Sequence, residues 1–170
     1  MKSTVKKLIL ASLCTLGLSQ AAMAANTTNT HTTSTVLLTA DTAVKLAHNA
    51  MMQCRSDGYT VSASIVDRSG NLLAMSRHEM AGPHTITSSQ RKAYTAASMG
   101  RETAKLAQLV TDKPVLAGLR DMNDNLLLLG GGLPVVIDGV RVAGIGVGGA
   151  PGGHLDIACA QKAINKVLTN

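Results

Sequence analysis

The 170-residue chain reads as an α+β domain, a single mainly antiparallel sheet with helices packed on it. Two turn signals predict the sheet: "RSGN" between "YTVSASIVD" and "LLAMSR", and Asp138-Gly139 between "LPVVI" and "VRVAGIGVGG". Tight hairpins of this kind join antiparallel neighbours. Apolar residues at a 3.6-residue period before, between and after these hairpins predict the helices, whose stripes must be buried against a sheet.

Residues 1–24 precede the domain. Lys2, Lys6 and Lys7 make a basic start, "LILASLCTLGL" is apolar, and "AMA" ending at Ala24 is a small-residue cleavage pattern, so this segment reads as a secretory signal peptide. The mature chain is then expected to be periplasmic or secreted. An apolar stretch of 11 residues is shorter than the roughly 20 that cross a bilayer, and no later stretch is long enough, so no transmembrane segment is expected after cleavage. Residues 25–35, "ANTTNTHTTST", have almost nothing to bury and read as a disordered lead-in holding His31. Residues 36–170 are left as one domain.

Within it, Thr39 caps a helix whose stripe is Val44, Ala47, Met51 and Cys54, with Gly58 as its stop. Val61, Ala63 and Ile65 alternate with Thr60, Ser62 and Ser64 in the first hairpin. Thr87 and Gln90 form a capping box opening a helix through about Ser98, and a shorter helix follows from about Glu102 to Val110. "TDKPVLAGLRDMND" is an irregular crossing, and "LLLL", residues 126–129, a short buried strand bounded by glycines. The Asp138-Gly139 hairpin comes next. A final helix carries Ile157, Ala160, Ile164 and Val167 on one face.

Composition narrows the function. Removing the three leader lysines lowers the formal charge from +6 to +3, a weak pull on acidic partners. Tyr59 and Tyr94 are the only aromatic residues, so the stacking platforms of single-stranded nucleic-acid binders are missing and nucleic acid is not expected as a partner. Cys54 and Cys159 both fall on expected helices; they pair if their Cα atoms lie close enough, and otherwise are buried thiols.

"GIGVGG" matches the dinucleotide pattern G-x-G-x-x-G, but only 21 residues follow Gly149, too few for the second parallel strand and its acidic residue. A strand with a glycine face, where another backbone or a ligand comes close, is the simpler reading. No strong zinc or calcium spacing occurs, and no serine sits in a nucleophile elbow. The stretch "RHEMAGPHT" remains. Pro83 stiffens the turn that presents His84, and His84, with His78 upstream, can offer a nitrogen to a metal or to haem iron. Arg91 and Lys92 lie early in the following helix, placed to pair with haem propionates or another small carboxylate.

"VDRSGNLLAMSRHEMAGPHTITSSQRKAYTAASM" and "LLLLGGGLPVVIDGVRVAGIGVGGAPGGHLDIACAQKAI" together resemble the GlcG/HbpS family of haem-binding proteins over residues 36–168, and the "AGPHT" turn and the leader resemble its secreted branch. The resemblance implies a profilin-like fold, an antiparallel sheet with helices on both faces, assembled into ring-like homo-oligomers. It also implies haem as ligand, with His84 or Thr85 near the haem and Arg91 and Tyr94 lining its site, and a protein partner for one branch that degrades haem or releases its iron. His154 departs from the family pattern. The function expected is exported haem binding for storage, buffering or delivery. The alternatives are a ring-forming accessory protein and an enzyme of small hydroxy- or keto-acids.

Overall fold

A computed structural model describes residues 31–169; the expected signal peptide and residues 25–30 of the lead-in lie outside them. Residues 31–35 are exposed and carry neither helix nor strand. The body from Thr35 onward is built on four antiparallel strands. These are β1 (Ser62–Asp67), β2 (Leu72–Arg77), β3 (Gly132–Ile137) and β4 (Val140–Gly148), in the spatial order β2-β1-β4-β3.

Helix α1 (Ala40–Ser56) starts where its cap predicts, the Thr42 N–H donating to Thr39 Oγ1. Its buried stripe is Ala43, Leu46, Ala47, Ala50, Met51 and Cys54, whereas Val44 is 57% exposed, so the true stripe is rotated from the one expected. Leu46 sets that rotation by filling the core. Together with α4 (Gly153–Leu168), α1 covers one face of the sheet and packs on Val61, Ala63, Ile65, Val135, Ile145 and Val147. Helix α2 (His84–Met99) covers the other face, against β1, β3 and β4. Helix α3 (Thr103–Asp112) and a 3-10 helix (Pro114–Arg120) follow it.

The polar half of the β1 alternation is not turned to water. Ser62 and Ser64 are fully buried under α2, bonded to Thr85 Oγ1 at 2.7 Å and to Ser89 Oγ at 2.8 Å. On β4 the same face is glycine, and the approaching backbone belongs to α2. A Cβ on Gly144 would collide with the Ala93 carbonyl and one on Gly146 with the Ser89 carbonyl. Because those obstacles are backbone and cannot swing aside, Gly146→Ala is expected to cost about 2–3 kcal/mol. Gly118→Ala, which meets nothing within 4 Å, should leave the urea midpoint nearly unchanged.

Two local expectations are corrected. Helix α2 begins three residues before the Thr87–Gln90 box, because Pro83 already has helical angles, φ −60° and ψ −31°, and suits a first turn whose N–H groups have no helical acceptor. "LLLL" is not a strand. Besides two local backbone bonds, Leu126 N–H to Asn123 O and Leu129 N–H to Leu127 O, its backbone is bonded by side chains: Arg91 Nη2 donates to Leu126 O, the Leu127 N–H to Thr95 Oγ1, and Thr103 Oγ1 to Leu129 O. The second hairpin is as expected, with Asp138 at φ 49° and Gly139 at φ 76°, the left-handed pair of a two-residue turn.

Candidate functional site

At 100° per residue, α2 has an inner and an outer face. Thr85, Ser89, Lys92, Ala93 and Ala96 are buried against the sheet, while His84, Thr87, Arg91 and Tyr94 fall along the outer side. The outer residues span about 15 Å of helix at 1.5 Å per residue. Thr87, Gln90, Arg91 and Tyr94 form one wall of a groove of about 390 Å³. Val66, Gly70 and Leu72 of the first hairpin, with Asp124 and Asn125, form the rest.

Gly70 positions the tyrosine. It has φ +90°, and any Cβ there would run into the Tyr94 ring, which lies directly on the turn. Asp67 fixes that turn by accepting the Ser69 and Asn71 N–H groups at 2.8 and 2.9 Å and the Asn71 side-chain amide at 2.9 Å. Partial burial opposes ionisation of Asp67, but these bonds outweigh it and hold the carboxyl below its ordinary value. Arg91 is anchored by Nη2 on Leu126 O at 2.6 Å, and its Nε is shielded from solvent with no acceptor among the described residues.

The residues expected to form a site separate into two sets. Arg91 and Tyr94 line the groove, and His84 is exposed at the start of α2, its imidazole against Gly82. Thr85 is turned inward, 1% exposed, donating to Gly82 O at 2.7 Å and bonded to Ser62; it seats the first turn of α2. His78 is also largely buried, and its Nδ1 accepts the Met80 N–H at 3.0 Å. No three His, Cys, Asp or Glu side chains come together to hold a metal ion among the described residues.

Lys92 does not join Arg91 in facing a ligand. It is 3% exposed and donates to Asp156 Oδ2 at 2.9 Å and to Val147 O at 3.0 Å. Asp156 Oδ1 in turn accepts the Ala150 N–H at 3.1 Å, so the pair ties α2 to α4 and to the glycine-rich loop between β4 and α4. The two cysteines pair, with Cα atoms 5.4 Å apart, and join α1 to α4. Thr87, Gln90, Asp124 and Asn125 were not anticipated in the groove. The spacing of Thr87, Gln90, Arg91 and Tyr94 on one helical face is a sequence signal for the first two, and it does not reach Asp124 and Asn125.

A four-stranded antiparallel sheet between a helix pair and a single long helix, with a groove along the outer side of the single helix, defines a small α+β domain. The chain belongs to the HbpS-like family, described as haem degrading proteins, whose model matches residues 38–165. Among solved structures it is similar to HbpS, with 42% identity, a TM-score of 0.74, and coverage of 81% of this chain and 94% of that one. It is also similar to PduOC, solved as a haem complex, with 28% identity, a TM-score of 0.69, and coverage of 76% and 94%. GlcG of Escherichia coli is 32% identical over 112 residues, 66% of this chain and 81% of that protein. No helix among the described residues is long and apolar enough to cross a membrane.

Proposed function

We propose that this is an exported protein that binds haem on the outer side of α2 and stores, buffers or delivers it. The observation that carries the reading is the alignment of His84, Arg91 and Tyr94 along one side of a helix that borders an open groove. A neutral imidazole can ligate haem iron, a guanidinium can pair with a propionate, and the Tyr94 ring with Leu72 and Val66 offers apolar contact to a porphyrin. The family description and the haem bound by PduOC support the same ligand.

The residues fit the edge of a porphyrin. Small-molecule sites run to about 300–1,000 Å³, so a groove of about 390 Å³ holds part of a haem and leaves the rest to solvent or to a second copy of the chain. A homo-oligomer that shares the ligand is therefore part of the proposal. Bound haem supplies a redox-active iron. The chain contributes ligation by His84, charge at Arg91 and a wall at Tyr94.

Titration of the purified protein with hemin is expected to give a saturable Soret band. His84→Ala, an exposed change that leaves the fold intact, should shift the band or weaken binding about tenfold or more. Identical spectra and affinity would remove His84 as ligand, and no saturable binding by the wild type would sink the haem reading.

A second reading, an enzyme of a small hydroxy- or keto-acid, is favoured by the buried Arg91 Nε, which has no acceptor among the described residues. It predicts thermal stabilisation by such acids without haem. A flat response across a panel of them would dismiss it.

A further inference from the structure

Arg91 stands between two cavities. The second, of about 260 Å³, is lined by Arg91, Arg120 and Leu126 through Leu129. The two differ in charge. In the first cavity Arg91 shares the lining with the Asp124 carboxylate, whereas the second has two arginines and no acid. A ligand carboxylate in the first would be repelled by Asp124. In the second it would meet two guanidinium groups beside four leucines, with no carboxylate to oppose it.

The two arginines differ in their preparation for such a ligand. Arg91 is held by its bond to Leu126 O, with its Nε buried and lacking an acceptor among the described residues. Arg120, at the end of the 3-10 helix, is exposed, and its guanidinium makes no hydrogen bond or ion pair among the described residues. One cation is fixed in place and the other is free to close over an anion.

We infer that the Arg91–Arg120 cavity is a carboxylate subsite for an anionic ligand with an apolar body, the carboxylate lying between the two guanidinium groups and the body extending toward Tyr94. Taking that body to be a porphyrin rests on the haem reading above. The carboxylate preference does not, since it follows from the charges and leucines of this cavity.

The test compares hemin with hemin dimethyl ester, which keeps the iron and the ring but loses the charges. Wild type is expected to bind hemin about tenfold or more tightly than the diester. Arg120→Ala should lose about tenfold in hemin affinity with little change for the diester, collapsing the preference. A diester that binds as well as hemin, or a preference that survives in Arg120→Ala, overturns the subsite while leaving haem binding standing.

If neither porphyrin binds, the haem reading fails and the subsite is judged with decanoate against decanol. Binding specific to the carboxylate and lost in Arg120→Ala supports it. Equal or absent binding of the two overturns it.

Discussion

Asp156→Ala is expected to destabilise the protein by about 3–5 kcal/mol, because it leaves the Lys92 ammonium buried without its counter-charge. Small domains are stable by only about 5–15 kcal/mol, so a loss of this size should be plain in a urea melt. The pair itself is a weak stabiliser, since both charges were taken out of water to form it. Replacing both partners with apolar residues, Lys92→Met with Asp156→Leu, should therefore recover most of the loss.

The pH dependence separates the two effects. Burial pushes the Asp156 carboxyl above its ordinary value of 3.8, and Lys92 opposes this without cancelling it. With the folded value above the unfolded one, the stability this group contributes is complete below the unfolded value. It is lost as pH rises through the folded value. The stability of the double variant relative to wild type should therefore rise across that window. A double variant as unstable as Asp156→Ala at every pH would show that the pair is needed for shape rather than for charge balance.

The second large effect is expected from the disulfide. Cys54 and Cys159 are 105 residues apart in sequence and both fully buried, so the bond removes much of the unfolded chain's freedom. A loop of that length corresponds to about 4–5 kcal/mol in the chain-entropy account. Cys54→Ala with Cys159→Ala should lower stability by about 4 kcal/mol. A thiol reductant should lower the wild-type midpoint and leave the double variant unmoved. Equal responses of the two proteins to reductant would mean that the bond carries no stability.

Much of the fold is legible along the chain because the signals act over a few residues. Thr39 caps its helix through a bond to Thr42, and Asp138-Gly139 supplies the left-handed pair its turn requires. The local signals failed where distant groups competed. The four leucines look like a strand, yet their backbone is bonded by Arg91, Thr95 and Thr103 side chains from α2 and α3. Thr87 and Gln90 look like a helix start, yet Pro83 had already set the helical angles.

The candidate site was legible only in part. Arg91 and Tyr94 were anticipated and do line one groove, and His84 is on the same side of the helix. Lys92, adjacent to Arg91 in sequence, was expected to work with it and instead turns into the core. One residue step is 100° of rotation on a helix, so neighbours in sequence face different surroundings, and the seating of α2 decides which faces out.

The sequence by itself determined the order of helices and hairpins, the glycine face of β4 and the histidine presented after Pro83, because caps, turns and residue periods are local properties. Only the tertiary structure decided that the glycines receive the backbone of α2, that Lys92 meets Asp156 across 64 residues, and that Arg91 shares a cavity with Arg120. These are contacts between remote segments. No local signal specifies them, since each depends on how the helices are rotated when they close on the sheet.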